Sequence, residues 1–302
     1  MRIKNLDAII IGGSYSGLAA GMALGRAMKQ VLIIDSGYPC NRQTPFSHNF
    51  LTQDGKTPSE ISLLAREQLQ TYTTVSFLHG LAIHGKRTDH GFEIKLTSGE
   101  TCAARKLIFA TGITDLIEDM EGFAECWGIS VLHCPYCHGY EVRNEKTGIA
   151  GNGESGFELA RLISNWTENL ILFTNGPATL TGSQVEQLAK RKIMVVDTKF
   201  RKLDHIDGYI QNIVFEDETK VSLSAIYAPA PFQQHCRIPE YLGCELTSEG
   251  YIRIDQFQQT TVEGVYVCGD NGTRMRTIAN AVATGTAAGI SVSKKIILEE
   301  FD

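Results

Sequence analysis

The stretch LDAIIIGGSYSG, residues 6–17, is a branched apolar run that ends in a glycine-rich turn, and the helix-like segment Leu18–Met28 follows it. This order predicts a strand, a turn and a helix. Glycines let the backbone approach a pyrophosphate, while the first turn of a helix offers unpaired N–H groups and the positive end of a dipole. Ser14 replaces the usual second glycine and is small enough to be tolerated. The stretch therefore predicts a dinucleotide-binding turn.

A second apolar strand, Val31–Ile34, ends in Asp35, 23 residues after Gly12. At about this spacing an acidic side chain meets a ribose hydroxyl in dinucleotide-binding folds. The strand that follows the helix therefore supports the prediction made from the glycines.

The same pattern occurs again 139 residues later. Thr147–Ala150 lead into GNGESG, residues 151–156, and then into the helix-like segment Phe157–Asn165 and the strand Leu170–Phe173. One such motif is weak evidence, but two copies that each lie between a strand and a helix indicate two nucleotide-binding domains. The length of 302 residues agrees with this number at roughly 150 residues per domain.

Composition excludes several classes of protein. The formal net charge of -6 gives no electrostatic reason to expect nucleic acid or anionic membrane as a partner. Eight cysteines in 302 residues are far too few for a disulfide-stapled secreted scaffold. We find no signal-peptide pattern and no run of about 20 apolar residues, so we expect a cytoplasmic protein without a membrane partner.

Two further apolar runs end in short turns. The predicted strand Lys106–Phe109 enters Ala110, Thr111 and Gly112, and Gly264–Cys268 leads to Gly269 and Asp270. Between the glycine motifs, residues 85–100 alternate between apolar and polar side chains and are bounded by turn residues, which predicts a small antiparallel element.

The most informative heptapeptide is HCPYCHG, residues 133–139. Cys134 and Cys137 are spaced to close a small redox-active disulfide ring, and a flanking histidine can lower a thiol pKa or transfer a proton. Three other interpretations are a structural zinc site, attachment of a c-type haem, and a pair of buried cysteines with no chemistry. We expect no metal. The other six cysteines, Cys40, Cys102, Cys126, Cys236, Cys244 and Cys268, are interpreted as small buried hydrophobic residues.

In this order the motifs resemble those of the low-molecular-weight thioredoxin reductase family of FAD-dependent disulfide oxidoreductases, over nearly the whole chain. That family usually has Ala-Thr between the cysteines and aspartate after them. Pro135, Tyr136 and His138 stand here instead, which is similar to the subgroup of thioredoxin-reductase-like proteins and dithiol oxidases.

The resemblance implies an α/β fold of two Rossmann-like, three-layer ββα dinucleotide-binding domains, the second inserted in the first. The FAD-binding domain is expected at residues 1–116 and 244–302. A smaller domain at 117–243, similar to NAD(P)H-binding domains, is expected to carry the cysteine pair. The family resemblance also implies a homodimer.

FAD is implied in the first domain, with the glycine turn at the pyrophosphate, Asp35 at the adenosine ribose and Asp270 at the ribitol. The N-terminus of the last helix would stabilise negative charge at the flavin C2 carbonyl. The residues implied at this cofactor are Gly12, Gly13, Ser14, Ser16, Gly17, Asp35, Ser36, Arg42, His48, Ala82, Ala110, Thr111, Gly112, Gly269, Asp270, Thr277, Ile278 and Ala279.

For the cysteines, the resemblance implies that Cys137 contacts the flavin and that Cys134 exchanges with the external substrate. His138 occupies the place of the family's acid/base aspartate, and its ordinary pKa near 6.5 suits proton transfer at neutral pH. His133 is the second candidate for this role.

The electron donor stays open. The resemblance implies a second nucleotide at Gly151, Gly153 and Gly156. However, the family's histidine and two arginines for the NADPH 2′-phosphate are absent, because Thr174–Pro177 stand in their place. Three possibilities follow: NADPH or NADH bound by other groups, a different donor, or dithiols that reduce FAD with oxygen as the acceptor.

The function expected from the sequence is FAD-dependent exchange between dithiols and disulfides, with a thioredoxin-like protein or a small dithiol or disulfide as the partner. One alternative is a dithiol oxidase that closes a disulfide in a small molecule. Another is a reductase that uses a donor other than NAD(P)H. A redox-sensing flavoprotein without turnover is the alternative from a different class.

Overall fold

The computed structural model describes residues 2–301, and side chains from Leu6 onward. The chain forms two compact units. The first contains residues 2–42, 49–114 and 232–301, and the second contains residues 43–48 and 115–231. The second unit is therefore inserted into the first. No helix in the described part of the chain is long and apolar enough to cross a membrane.

The first unit is built on a seven-stranded sheet. Its strands are β1 (Arg2–Ile11), β2 (Val31–Asp35), β3 (Val75–His79), β4 (Ala82–Thr88), β5 (Gly91–Leu96), β6 (Thr101–Phe109) and β17 (Val265–Val267). The strand order is β3-β2-β1-β6-β5-β4, and β17 pairs with β6. β1, β2, β3, β6 and β17 are parallel, while β4 and β5 form an antiparallel hairpin.

Two helices cover one face of this sheet. α1 (Tyr15–Arg26) and α8 (Ile278–Phe301) pack on a buried cluster that includes Ile10, Ile33 and Ile108. The helices approach closely, since a Cβ on Gly285 of α8 would lie 2.1 Å from the Ser16 carbonyl oxygen. Any larger residue there would force α8 away from the start of α1.

A second cluster covers the opposite face of the same sheet. It brings side chains from the β4–β5 hairpin together with Ile238 and Cys244. The remaining helices of this unit are α2 (Pro58–Leu69), which begins at a Thr57–Glu60 capping box, and the short α7 (Ile238–Tyr241).

The second unit contains a five-stranded parallel sheet in the order β11-β10-β9-β15-β8 and a three-stranded antiparallel sheet, β12-β13-β14. The strands are β8 (Val131–Leu132), β9 (Thr147–Ala150), β10 (Leu170–Phe173), β11 (Met194–Val196), β12 (Phe200–Ile206), β13 (Tyr209–Phe215), β14 (Lys220–Ser222) and β15 (Ala225–Tyr227). The helices are α3 (Phe123–Cys126), α4 (Pro135–His138), α5 (Gly153–Ile163) and α6 (Gly182–Lys190). β7 (Ile113–Asp115) and β16 (Phe232–Gln234) form a two-stranded sheet.

The structure differs from the sequence-based predictions at element ends. β9 and β10 have the predicted bounds, but α1 begins at Tyr15 and α5 at Gly153, several residues earlier than the apolar pattern indicates. The reason is that a helix starts where its backbone turns, within the glycine motif, and not where its side chains begin to be buried.

The unit boundaries also differ from those predicted. The second unit ends at Pro231 and not at residue 243, because Ile238 and Cys244 are packed in the core of the first unit. It starts at Asp115 and also includes residues 43–48, where the Gln43 side chain donates a hydrogen bond to the Ala124 carbonyl at 3.3 Å. Such a contact between distant parts of the chain leaves no local pattern in the sequence.

Candidate functional site

The first glycine turn lies where β1 ends beside β2 and β6. Gly12 has a φ of 104°, and its N–H donates to the Ile34 carbonyl at 2.8 Å. A Cβ on Gly12 would lie 2.2 Å from the Ala110 carbonyl oxygen. Backbone conformation and close packing both require glycine at this position.

Asp35 is fixed beside this turn. One carboxylate oxygen accepts a hydrogen bond from the Gly13 N–H at 3.2 Å, and the other forms an ion pair with Arg66 of α2 at 2.9 Å. A carboxylate has about four acceptor positions, so Asp35 can still bind a ribose hydroxyl. Ser36 follows it and is partly buried. Sequence reasoning missed Arg66, whose position in an amphipathic helix gave no signal for this contact.

The start of α1 suits an anion. Ser14 is the N-cap residue, but its side chain makes no capping hydrogen bond. Ser16 and Gly17 are buried in the first turn. Amide N–H groups at a helix start without a capping side chain are available to a phosphate.

The carboxyl-terminal segment lies in the same unit. The Gly269 N–H donates to Thr284 at 3.0 Å, and Asp270 forms an ion pair with Arg276 at 3.7 Å. Thr277 caps α8, since its hydroxyl accepts from the Asn280 N–H at 3.1 Å. Ile278 and Ala279 are the first two residues of that helix.

The remaining residues predicted at FAD lie in different surroundings. Ala110 is buried, Thr111 is partly buried and within 3.4 Å of the Asn271 side-chain nitrogen, and Gly112 has a φ of 64°. Ala82 opens β4 and is packed in the core, while Arg42 is exposed and donates to the Pro39 carbonyl. The glycine turn, the uncapped helix start and the Asp35 carboxylate together fit the pyrophosphate and ribose of FAD.

The cysteine pair lies directly after β8. Cys134 has an extended backbone and is the N-cap of α4, where Pro135 takes the first helical position. The Cys137 N–H donates to the Cys134 carbonyl at 3.3 Å. Both cysteines are partly buried, whereas Tyr136 between them is exposed and packs edge-on against Trp166.

The two candidate histidines have different environments. His133 stacks on Trp127 with ring centroids 5.9 Å apart. Burial, followed by the nearby charge of His48, lowers the pKa of His138 to about 4. This corrects the expectation that His138 titrates near its ordinary pKa. Its imidazole is neutral at pH 7 and is a weaker base than an ordinary histidine.

His48, which was predicted at FAD, belongs to the second compact unit and lies near the cysteine motif. Its Nε2 is 3.5 Å from a carboxylate oxygen of Glu141, and it acts electrostatically on His138. The physical reason is the packing of residues 43–48 into the second unit. Glu141, which sequence reasoning did not identify, completes this polar cluster.

The other cysteines only partly follow the prediction that they pack in the interior. Cys102, Cys126, Cys244 and Cys268 are buried, but Cys236 is only partly buried and Cys40 is exposed. Burial raises the thiol pKa of Cys268 to about 12 and also raises those of the other three buried cysteines and of Cys236. In residues 2–301, no three His, Cys, Asp or Glu side chains are grouped so that they could hold a metal ion.

The second glycine motif is held in place by the side chain of Asn152. The Asn152 side-chain oxygen accepts hydrogen bonds from the Gly153 N–H at 2.8 Å, the Thr179 N–H at 2.8 Å and the Thr179 hydroxyl at 3.1 Å. Its amide nitrogen donates to the Pro177 carbonyl at 2.9 Å. Asn152 therefore ties the loop after β10 onto the turn that runs from Gly151 to Gly156.

A crevice of about 290 Å³ opens at the carboxyl ends of β9, β10 and β15. This is the place in an α/β sheet where ligands bind. Its lining consists of Leu116, Ile117, Glu118, Phe123, Ala150, Gly151, Asn152, Thr174, Asn175, Phe200 and residues 228–231. None of these described residues is Lys or Arg, so the lining does not fit the charge of a 2′-phosphate.

Comparison with known proteins agrees with this architecture. The model of the pyridine nucleotide-disulphide oxidoreductase family matches residues 6–285. A relative from Claviceps purpurea, thioredoxin reductase tcpT, is 33% identical over 97% of this chain and 95% of its own length. Thioredoxin reductase aclD from Aspergillus oryzae is 28% identical over 97% of both chains.

Solved structures show the same fold. An oxidoreductase from Agrobacterium tumefaciens superposes with a TM-score of 0.91 at 34% identity, over 98% of this chain and 99% of its own. HlmI superposes with a TM-score of 0.92 at 28% identity, over 98% and 94%. The predicted fold class of two Rossmann-like domains is confirmed. The chain thus belongs to the pyridine nucleotide-disulphide oxidoreductase family, among the FAD-dependent enzymes that resemble low-molecular-weight thioredoxin reductases.

Proposed function

We propose that the protein exchanges electrons between FAD and the Cys134/Cys137 pair, and between that pair and an external dithiol or disulfide. The observation that carries this proposal is the position of the pair. Both cysteines are partly accessible at the end of a buried strand, while the burial of five of the other six raises their thiol pKa values and makes them poorer nucleophiles.

FAD would be held by the glycine turn after β1, by the uncapped start of α1 and by Asp35. When bound, FAD supplies a two-electron acceptor and donor. The other residues that we assign to it are Gly269, Asp270 and the start of α8. The domain bounds that we propose for this role are those of the first compact unit.

The exchange with substrate needs only thiol chemistry. In the oxidising direction, a substrate thiolate attacks the Cys134 sulfur, the bond between Cys134 and Cys137 breaks, and a mixed disulfide forms. The second substrate thiolate then releases Cys134. The substrate leaves as a disulfide, and the pair holds two electrons and the protons taken from the substrate. We assign proton transfer during this exchange to His138 and exchange with FAD to Cys137.

The crevice of the second unit argues against NADPH, and we propose a dithiol as the electron donor. It lacks a cation for a 2′-phosphate, and Asn152 already accepts the Gly153 N–H. The second candidate function, a dithiol oxidase that closes a disulfide in a small molecule with oxygen as the acceptor, is supported by the same observation. A reductase that uses NADPH, NADH or another donor is the competing possibility.

The partner follows from the chemistry of the pair. The thioredoxin reductases among the relatives support a thioredoxin-like protein, and the dithiol chemistry equally suits a small dithiol or disulfide. We further propose a cytoplasmic homodimer, in line with the family resemblance.

Anaerobic mixing of the flavin-loaded protein with NADPH, NADH and dithiothreitol in turn tests the proposal. We expect the visible absorbance of the flavin to bleach with dithiothreitol and to persist with either nucleotide. Bleaching by NADPH alone would establish a conventional reductase. Turnover of a disulfide substrate, or of a dithiol with oxygen, separates an enzyme from a redox sensor, which would bleach without turnover.

A Cys137→Ser variant provides the second arm of the test. Loss of bleaching by dithiothreitol is expected, because the pair can no longer pass electrons as a disulfide. Cys102→Ser is the matched control, since that thiol is buried in the first unit. Full turnover by Cys137→Ser would contradict the proposed mechanism.

A further inference from the structure

A buried tyrosine lies beside the cysteine motif. Tyr227 is the last residue of β15 and pairs with Leu132 of β8 on one side and with Ile149 of β9 on the other. The Ala228 N–H donates to the Leu132 carbonyl at 2.8 Å, so the two strands stay paired up to the point where the cysteine motif begins.

The register of β8 indicates which cysteine shares a face with this tyrosine. Side chains alternate along an extended chain, and Cys134 has an extended backbone two residues after Leu132. Leu132 and Tyr227 belong to the same buried cluster. Cys134 is therefore expected on the Tyr227 side, whereas His133 points to the opposite face, where it stacks on Trp127.

The Tyr227 side chain is only 1% exposed, and its hydroxyl has no hydrogen-bond partner among the residues that the structure describes. A buried tyrosine hydroxyl normally finds a partner, because burial without one is unfavourable. The cluster around the ring is otherwise built from aliphatic side chains and Phe157, so phenylalanine would fill the same space without that penalty. Packing alone does not explain the hydroxyl.

Three acidic groups act on this hydroxyl. Burial raises the pKa of Tyr227 most, followed by the electrostatic effects of Cys134, Glu141 and Cys137. The hydroxyl therefore stays protonated at neutral pH, so it can donate a hydrogen bond but cannot act as a base. Of these groups, Cys134 is the one expected on the same face as Tyr227, and its thiolate is an anion that such a donor can stabilise.

We propose that Tyr227 is a positioning residue of the cysteine pair: its hydroxyl donates a hydrogen bond to the Cys134 sulfur when that sulfur is a thiolate. This inference rests on the proposed disulfide exchange, in which the Cys134 sulfur is alternately bonded and ionic. The hydrogen bond would stabilise the ionic form and so set the reactivity of Cys134 toward substrate.

The test is the pH dependence of Cys134 alkylation in the reduced holoenzyme. Iodoacetamide is added after reduction, and the modified peptide is quantified by mass spectrometry. Tyr227→Phe should raise the apparent pKa of Cys134 by roughly one unit, which corresponds to a tenfold smaller thiolate fraction below that pKa. Tyr266→Phe is the matched control, since Tyr266 is equally buried in the first unit and its hydroxyl lies 3.2 Å from Gln259.

The difference in unfolding temperature between the oxidised and the reduced holoenzyme provides a second readout. A purely structural role of Tyr227 would change both temperatures equally and would leave this difference as it is in the wild type. Tyr227→Phe should unfold at the same or a higher temperature when oxidised, and should lose stability relative to the wild type only when reduced. Tyr266→Phe should be less stable in both states. An unchanged alkylation profile, or equal loss of stability in both redox states, would overturn the inference. Because alkylation needs no turnover, this outcome is separate from a failure of the proposed function.

Discussion

His138 shows how far a single residue can depart from its sequence-based interpretation. Its place after the second cysteine suggests an acid/base group with an ordinary pKa, but burial and the neighbouring His48 lower that pKa to about 4. A neutral imidazole with this pKa is a weak base, so it accepts the proton of an incoming thiol less readily than an ordinary histidine does. It cannot act as a reservoir of protons at pH 7.

This pKa predicts a pH dependence of stability. Below pH 6.5 the unfolded chain protonates His138, but the folded chain does so only near pH 4, so the unfolded state binds more protons and stability falls as the pH falls through this window. His138→Asn should abolish this fall in the free energy of unfolding, which amounts to at most about 3 kcal/mol in the wild type. Urea unfolding at pH 7 and pH 4.5 measures it.

The control for this prediction is His90→Asn, since His90 is exposed in the turn between β4 and β5. It should show the same pH dependence as the wild type. If His138→Asn also matched the wild type, His138 would titrate normally in the folded protein.

At the scale of elements, the two glycine motifs have the same sequence pattern but are held differently. In the first, Gly12 packs against Ala110 and the helix start has no capping side chain. In the second, Asn152 accepts three hydrogen bonds and binds the following loop. The N–H groups at the start of α1 are available to a phosphate, whereas the Gly153 N–H of the second motif already donates to the Asn152 side chain.

Replacement of Gly12 by alanine should be strongly destabilising. Alanine disfavours a φ of 104°, and its Cβ would overlap the Ala110 carbonyl. Together these effects should cost about 2–6 kcal/mol of unfolding free energy and reduce the bound flavin. Gly55→Ala isolates the conformational part, because Gly55 has a φ of 79° with no atom within 4 Å of the added Cβ. Equal losses in the two variants would contradict the role of close packing.

Removal of the Asn152 side chain should release the loop after β10. Asn152→Ala removes the N-cap side chain of α5 and the acceptor of the Thr179 N–H, which should cost about 0.5–2 kcal/mol. Limited proteolysis should then cleave near residues 175–180. Asn165→Ala, at an exposed position on the same unit, should leave both properties unchanged. Resistance of the Asn152 variant to cleavage would show that the loop is held by other contacts.

At the scale of the whole molecule, the chain forms two compact units with one ligand expected in each. In the described residues, the donor set of the first unit fits FAD, whereas the crevice lining of the second has no cation for a 2′-phosphate. A ligand that binds the folded state stabilises it by mass action. The two units should therefore respond differently to their nucleotides.

Hydrogen exchange of the apoprotein measures this difference. Addition of FAD should slow exchange at residues 12–17 and 110–112 and raise the unfolding temperature. NADPH at the same concentration should leave residues 151–156 and the unfolding temperature unchanged, because the crevice lining lacks a cation among the described residues. Protection of residues 151–156 by NADPH would show that the second unit is a working nucleotide site.

The sequence by itself determined the class of fold, the two glycine turns, the bounds of β9 and β10, and the cysteine pair. These features depend on local patterns, in which apolar runs, glycines and cysteine spacing lie close together in the chain. The motif order then indicated that one domain is inserted in the other.

Only the tertiary structure decided which side chains share an environment. It placed His48 beside Glu141 and stacked His133 on Trp127. It also buried the Tyr227 hydroxyl without a hydrogen-bond partner among the described residues, and it bonded the Asn152 side chain to Gly153 and Thr179. Each depends on burial or on contacts between distant residues, which change pKa values and hydrogen bonding without any mark in the local sequence.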